Sequence, residues 1–239
     1  MIIHLISSPR TVSTSLMYAF DNRADTVGID EPFYGYYLNK TGVDHPGGKR
    51  VLDEMDHDSD KIFLKFQEYN NSDTVLFIKN MAHHMIDLPL DRFSACENLI
   101  LIRDPARIIN SFSKVIQNPT IDDIGIKAQW EIYENLRSLG SKVFVMDSSI
   151  ILKNPEKALR HLCDIINLPF DQAMLEWEAG PRDIDGSWAQ HWYKSTHQLT
   201  GFKPYDETAV TVDPAFTDLY ETAKTYYDKL MAASIHVTI

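Results

Sequence analysis

Short apolar runs alternate with helical patterns along most of this chain. Five of these runs are typical of buried strands, and they cover residues 2–6, 26–29, 74–78, 98–102 and 142–146. Runs this apolar suit strands covered on both faces, as strands are in parallel sheets. The pattern therefore predicts a sheet that is buried between layers of helices.

Helical signals fill the segments between the runs. Leu16, Ala19 and Phe20 recur at helical spacing after the first run. Asp-Pro at 104–105 and Asn-Pro at 154–155 are helix-start signals, because an N-cap residue is followed by proline at the first helical position. Strand–helix alternation of this kind predicts the α/β fold class, with an open, mainly parallel sheet flanked by helices.

The rest of the chain is organised less regularly. Residues 121–139 indicate one long helix closed by Gly140, and residues 213–233 indicate a final helix. Residues 33–72 fit the strand–helix alternation poorly. They are expected to form an insertion that serves as a lid or that binds the acceptor, meaning the molecule that receives a transferred group. We expect residues 1–239 to form a single domain, since this length suits one sizeable core.

The overall charge narrows the range of partners. The 239 residues include 23 Lys and Arg against 34 Asp and Glu, a formal net charge of −11 at pH 7. Such a surface repels nucleic acid and anionic membranes, so an anionic small molecule would need a local cluster of positive groups. The apolar runs fall far short of the ~20 residues that span a bilayer, and the N-terminus lacks a signal-peptide pattern. A cytoplasmic location is expected.

The segment after the first strand carries the first chemical signal. Ser7, Ser8 and Pro9 lead into Arg10, Thr11, Val12, Ser13, Thr14 and Ser15. A strand, a hydroxyl-rich turn and a helix start can cradle a phosphate with backbone N–H groups, hydroxyls and the helix dipole, and Arg10 adds positive charge. The segment is not a Walker A loop, because it lacks the glycines and the lysine of that motif. The alternative is a polar turn capped by Ser13.

A second signal follows the fourth strand. Arg103 ends a buried run, where a guanidinium needs an anionic partner. Ser111 lies two helical turns further on. An arginine and a hydroxyl at one strand–helix corner suit a second phosphate, and the alternative is a structural ion pair of the Arg103–Asp104 type.

Together the two segments resemble the donor-binding segments of sulfotransferases. Residues 9–14, PRTVST, are similar to that family's 5′-phosphosulfate-binding loop, usually P-[KR]-S-G-T-T. Residues 101–105, LIRDP, with Ser111 eight residues after Arg103, are similar to its 3′-phosphate-binding segment. Gly186 and Trp188 resemble the late G-x-W loop that closes over the 3′-phosphate.

This resemblance implies a P-loop-type fold that binds 3′-phosphoadenosine 5′-phosphosulfate and needs no metal. By analogy with the family, Arg10 would balance charge on the oxygen that links the sulfate to the departing phosphate. Ser13 and Thr14 would hold the 5′-phosphate, while Arg103 and Ser111 would hold the 3′-phosphate.

Three positions depart from the family pattern. Val12 replaces the loop glycine, so its backbone must either keep a negative φ or be strained. Ser15 stands where many cytosolic members carry a tryptophan that stacks on adenine. Ala189 follows Trp188 where a lysine is usual.

Two residues are candidates for the general base that deprotonates the acceptor. Glu31 directly follows the second strand, in a position that looks like that of the catalytic Glu in a subset of sulfotransferases. His83 follows the third strand, where cytosolic members place K-T-H, although Met81 occupies the matching third position. We prefer Glu31 and place His83 second. The alternatives are an acid that caps the next segment for Glu31, and a helix-start or surface role for His83.

The sequence thus favours a sulfotransferase-like enzyme that moves a sulfuryl group to a hydroxyl or amine of a small molecule. Two alternatives stay open: a nucleotide-dependent kinase of related fold, which the missing P-loop lysine opposes, and a binding module that has lost transfer. The acceptor cannot be read from the sequence, and the oligomeric state is open, with a homodimer among the alternatives.

Overall fold

The computed structural model of the protein describes residues 1–69 and 73–235. Within this part of the chain, five strands form one sheet in the order β2-β3-β1-β4-β5, with every neighbouring pair parallel. The predicted open α/β sheet is therefore confirmed. The strands are β1 (Ile2–Ser7), β2 (Thr26–Asp30), β3 (Val75–Met81), β4 (Glu97–Ile102) and β5 (Val143–Asp147).

Helices cover both faces of the sheet. Alternate strand residues point to opposite faces, so Ile3 and Leu5 belong to one core cluster and Ile6 to another. Helices α1 and α9 pack on the first face, and α5, α7 and α11 pack on the second. The helices are α1 (Ser13–Asp21), α2 (Tyr34–Thr41), α3 (Gly48–Glu54), α4 (Ser59–Gln67), α5 (Pro105–Phe112), α6 (Ile121–Ile124), α7 (Ile126–Ser138), α8 (Ser148–Lys153), α9 (Pro155–Ile165), α10 (Ala189–Trp192) and α11 (Thr217–Ala232).

Strand β1 lies at the centre of the sheet and fixes the place of the site. Ser7 at its end pairs with Met81 of β3 and Leu101 of β4, so the carboxyl ends of the three strands are level. The chain leaves β1 in one direction towards β2 and later crosses back past β1 from β3 to β4. Such a reversal opens a crevice outside the carboxyl ends of the strands.

The prediction of one helix over residues 121–139 is wrong. Gly125 has a φ of 68°, in the left-handed region, and separates α6 from α7. A Cβ at this position would lie 3.4 Å from Nδ1 of His83 and 3.5 Å from Oγ of Ser8, so the break brings the start of α7 against the site. The predicted final helix is present as a short 3₁₀ turn, Pro214–Phe216, followed by α11.

The irregular segment 33–72 contains α2, α3 and α4, which connect β2 to β3. Asp58 caps α4 by accepting hydrogen bonds from the backbone N–H groups of Asp60 and Lys61. A role for this segment as a lid or acceptor-binding insertion stays a prediction, and its residues 70–72 lie outside the described residues. None of the helices in the described ranges is long and apolar enough to cross a bilayer.

Candidate active site

A cavity of about 820 Å³ opens at the carboxyl edge of the sheet. Its volume is typical of pockets that hold a small-molecule ligand. Ten of the twelve predicted site residues line it. Eight belong to the two phosphate segments and two are the base candidates: Arg10, Thr11, Val12, Ser13, Thr14, Ser15, Arg103 and Ser111, together with Glu31 and His83.

The loop after β1 forms the floor of the cavity. Thr11 donates a hydrogen bond from its hydroxyl to the carbonyl of Ser8, 2.8 Å away, which closes the turn. Helix α1 then begins at Ser13 and presents its N-terminal turn, with Ser13, Thr14 and Ser15, to the cavity. The free N–H groups of a helix start and its dipole favour a bound anion, as the sequence analysis expected of this loop.

Two alternatives were predicted for the backbone of Val12, a negative φ or strain, and the structure shows the strained one. Its φ is 61° and its ψ is 19°, in the left-handed region that a β-branched residue rarely enters. Arg10 and Glu31 also have positive φ, 63° and 44°, so strained backbone is concentrated around this cavity. Strain of this kind is typical of functional sites that the surrounding structure holds in place.

We expect Val12→Gly to be more stable than Val12→Ala by about 1 kcal/mol, because only glycine enters the left-handed region without strain. Both variants lose the side chain that packs against the α1 face of the core, so the difference isolates the backbone. Urea unfolding of the two proteins measures it. An alanine variant as stable as the glycine variant would contradict the strain at this position.

A buried glutamine braces the loop against the sheet. The Gln129 amide of α7 donates to the carbonyls of Ile6 and Leu101, at 3.1 and 2.9 Å, and its Oε1 accepts from the Ser8 hydroxyl at 2.7 Å. Gln129 therefore ties the ends of β1 and β4 to one helix. The sequence analysis missed it, although the signal was present: a polar residue occupies a position of the apolar face shared by Ile126 and Leu136.

The segment that follows β4 directly contacts the loop that follows β1. Arg103 follows β4, and its guanidinium donates a hydrogen bond from Nη1 to the backbone carbonyl of Arg10. Asp104 caps α5 through the N–H of Ala106 at 2.9 Å, which sets the helix that carries Ser111 to the cavity. The two predicted phosphate corners thus lie on one side of one cavity.

The arginines at these corners form no ion pair with a carboxylate in the part of the chain that the structure describes. Burial lowers the pKa of Arg10 and of Arg103. The neighbouring Arg107 lowers the pKa of Arg103 further, while the more weakly interacting Asp147 and Asp104 raise it. In residues 1–69 and 73–235, no ion pair joins Arg10, Arg103 or Arg107 to a carboxylate, while Arg23, Arg50, Arg92, Arg160 and Arg182 all form one. Partly buried guanidinium groups without counter-charges are stabilised when an anion binds between them.

A buried charge cluster lies beside them at the ends of β2 and β3. The register places Asp30 opposite Lys79, and Lys79 Nζ lies 2.8 Å from Asp30 Oδ1, 2.5 Å from Glu31 Oε1 and 2.8 Å from the Tyr193 hydroxyl. Burial alone lowers the pKa of Lys79, but the two carboxylates outweigh it and raise that pKa. The cluster therefore holds two carboxylates against one ammonium.

Glu31 is the member of this cluster that is both acidic and part of the cavity lining. Asp30 is buried behind it and accepts from Tyr193 at 2.8 Å. Burial raises the pKa of Asp30, and Lys79 opposes this rise. Lys79 and Tyr193 fix one oxygen of Glu31, while the other lies 3.5 Å from Nδ1 of His84. Glu31 was predicted from the sequence, whereas the groups that hold it were not.

The two histidines after β3 differ in their surroundings. His83 lines the cavity, and burial lowers its pKa to about 4, so the ring is neutral at neutral pH. His84, which the sequence analysis did not select, is 3% exposed and stacks on Tyr34 with ring centroids 4.5 Å apart. Neither Nδ1 has a hydrogen-bond partner among the described residues. His83 stays the second candidate for the base.

Gly186 and Trp188 are not brought together with the other predicted residues. Neither lines the cavity, and Trp188 is buried in a separate cluster with Tyr34 and Leu38. A Cβ at Gly186 would lie 2.0 Å from the Trp188 ring, so glycine makes room for the indole. This packing explains the motif without a ligand, and closure over a 3′-phosphate stays a prediction. The neighbouring Trp192 reaches the cavity instead.

This arrangement defines an α/β protein with a ligand cavity at the carboxyl ends of parallel strands. The chain belongs to the sulfotransferase family, since the model of the sulfotransferase domain matches residues 1–234. The resemblance expected from the two corner motifs is therefore confirmed at the level of family.

Solved sulfotransferase structures share this fold. The sulfotransferase domain from the curacin biosynthetic pathway is 16% identical with a TM-score of 0.57, covering 96% of this chain and 97% of that one. The sulfotransferase domain from the Synechococcus PCC 7002 olefin synthase is 17% identical with a TM-score of 0.59, covering 95% and 94%. At these identities the likeness shows the fold alone.

Two curated relatives are more similar in sequence. Branched-chain-amino-acid aminotransferase-like proteins 1 and 2 of Arabidopsis thaliana are 36% and 34% identical over 236 residues. The match covers 98% of this chain but spans only 42% of the length of either relative.

Proposed function

We propose that this protein is a sulfotransferase that uses 3′-phosphoadenosine 5′-phosphosulfate to sulfate a small molecule. The observation that carries the proposal is the side-by-side placement of Arg10 and Arg103 at the cavity, linked by a hydrogen bond and forming no ion pair among the described residues. Two separate positive corners suit a ligand with two phosphate groups. A cytoplasmic location belongs to the same proposal.

The residues present fit this donor. Arg10, Ser13 and Thr14 would hold the 5′-phosphosulfate end at the start of α1, where free N–H groups add donors. Arg103 and Ser111 would hold the 3′-phosphate. When bound, the donor supplies a sulfuryl group on a good leaving group, and the cavity of about 820 Å³ leaves room for an acceptor beside it.

The chain's own groups would then provide positioning and charge stabilisation, which dominate transfer through a loose transition state. Arg10 stabilises negative charge that develops on the leaving oxygen. Glu31 takes the acceptor proton, and Lys79 with Tyr193 holds Glu31 in place. The proposal that no metal takes part rests on the family resemblance.

The aminotransferase-like name of the curated relatives does not enter this proposal. That name describes proteins of which this chain covers only 42% of the length. The span that matches them is the same span that matches the sulfotransferase model.

A thermal-shift assay tests the donor assignment. Adenosine 3′,5′-bisphosphate at ~100 times its Kd is expected to stabilise the protein by about 2.7 kcal/mol, or to raise Tm by roughly 5–10 °C. ATP with magnesium should do much less.

Incubation with 3′-phosphoadenosine 5′-phosphosulfate and a broad acceptor panel then tests transfer. An unchanged melting curve at millimolar bisphosphate would contradict the donor assignment. Binding without any sulfated product would favour a binding module, and ATP turnover would favour a kinase.

A further inference from the structure

The cavity has two ends of opposite charge. The end formed by Arg10, Arg103 and Arg107, here the nucleotide end, carries positive groups that form no ion pair among the described residues, with Lys203 and Asp206 at its edge. The other end carries carboxylates and rings. Among the described residues it holds one lysine and no arginine, and Asp30 and Glu31 neutralise this Lys79. This acceptor end is defined by Glu31, Tyr34, Asp44, His45, His84 and Asp123.

Two carboxylates of the acceptor end, Asp44 and Asp123, are not matched by cations in the part of the chain that the structure describes. Among the described residues, neither Asp44 nor Asp123 forms an ion pair. Both lie close enough to His45 to raise its pKa against the larger effect of burial, which lowers it. Asp123 uses Oδ2 to cap α6 through Thr120. An excess of negative charge therefore faces the space that the acceptor would occupy.

A buried polar nitrogen in the same wall is an independent sign of a ligand. His84 is 3% exposed and lies between Tyr34 and Tyr37, with centroids 4.5 and 4.7 Å away. Its Nδ1 has no hydrogen-bond partner in the described chain and lies 3.5 Å from Glu31 Oε2. A buried polar atom without a partner is costly unless a ligand or water satisfies it.

Aromatic rings complete the acceptor end. Tyr34 bonds to Nδ1 of His45 at 2.9 Å, and His45 lies edge-on to Trp192 at 6.5 Å. Rings next to carboxylates favour an organic cation, because both the ring faces and the carboxylates attract positive charge.

We propose that the acceptor carries a protonated amine beside the hydroxyl that is sulfated, with the amine held by Asp44 and Asp123. The proposal rests on the proposed function and narrows its substrate class. A protonated amine has no lone pair, so the hydroxyl is the nucleophile. Its oxygen forms the new O–S bond as the S–O bond to the leaving phosphate breaks, its proton passes to Glu31, and the product is a zwitterionic sulfate ester.

Calorimetry with probes of matched shape tests this charge preference. One series compares tyramine, para-ethylphenol and para-hydroxyphenylpropionate, and a second compares aminopropanol, butanol and hydroxybutyrate. Each probe is titrated with and without saturating adenosine 3′,5′-bisphosphate. In at least one series the cationic member should bind roughly tenfold more tightly than the neutral one, and the anionic member most weakly.

Variants in which asparagine replaces aspartate test which residues cause the preference for the cationic probe. In Asp44→Asn/Asp123→Asn the cationic advantage should fall to about threefold or less. Asparagine at 123 keeps an oxygen for the Thr120 cap. Asp206→Asn, the same change at the nucleotide end, should leave the preference intact.

The outcomes separate this inference from the proposed function. Failure of the bisphosphate to bind overturns the donor assignment, and the titrations without nucleotide still decide the charge preference. Bisphosphate binding combined with equal affinity for all three charges, or with no binding of either amine at millimolar concentration, overturns the inference alone. A preference that survives in the double variant overturns the assignment to Asp44 and Asp123.

Discussion

Arg103→Ala is expected to weaken binding of adenosine 3′,5′-bisphosphate by roughly 10²-fold or more and to remove its effect on Tm. Arg103 lies at the cavity and forms no ion pair with any described residue, and its guanidinium also holds the carbonyl of Arg10. Its loss removes a phosphate contact and releases the neighbouring loop. Calorimetry and thermal shift, each with and without nucleotide, measure the two effects.

Arg103→Lys separates charge from geometry. Lysine keeps the positive charge but cannot form the two-pronged contact of a guanidinium, so its nucleotide affinity should fall between those of wild type and Arg103→Ala. Arg160→Ala is the matched control. It removes the same charge from an exposed pair with Glu156 on α9, and it should bind nucleotide like wild type. If Arg103→Ala and Arg160→Ala respond to nucleotide equally, Arg103 does not hold a phosphate.

The parts of the site that follow directly from strand ends could be predicted from the sequence. Arg10 and Arg103 each follow a recognisable buried strand, and in a parallel sheet the carboxyl ends of strands share one edge. Their order in the chain then matched a known family. The fold was predictable for a similar reason, since each strand is marked by a short, mainly apolar run.

The parts that depend on distant pairs could not be predicted. Tyr193 meets Lys79 from 114 positions away, and Gln129 reaches Ser8 across 121 positions. The sequence around Tyr193 or around Gln129 does not indicate which distant residue each one contacts. Because the register of β2 against β3 sets Asp30 beside Lys79, the buried cluster becomes visible only once the strands are paired.

Local chemistry misled in one place and leaves a second motif undecided. Gly125 interrupts an apolar helical pattern, and glycine in such a pattern is often tolerated, yet here its positive φ ends one helix and starts the next. Gly186 and Trp188 matched a short motif, but the three-residue pattern is equally satisfied by a glycine that leaves space for a buried indole.

Glu31→Gln is expected to lower turnover roughly 10²–10⁴-fold while sparing nucleotide binding. Glu31 lines the cavity, and glutamine in its place cannot take up a proton from the acceptor. The variant should fold, because Asp30 and Lys79 remain as a matched pair at 2.8 Å and the amide oxygen can still accept from Lys79. Single-turnover rates with saturating donor measure the chemical step, and calorimetry measures nucleotide affinity.

Asp30→Asn is the matched control for this assignment. Asp30 bonds to the same Lys79 and Tyr193 as Glu31 but lies outside the cavity lining, so its change disturbs the shared cluster without removing the proposed base. A much smaller loss in Asp30→Asn than in Glu31→Gln would assign proton transfer to Glu31. Equal losses would indicate that the cluster acts only by positioning. Near-normal turnover in Glu31→Gln would move the base to His83 or His84, whose unpaired ring nitrogens lie in the same wall.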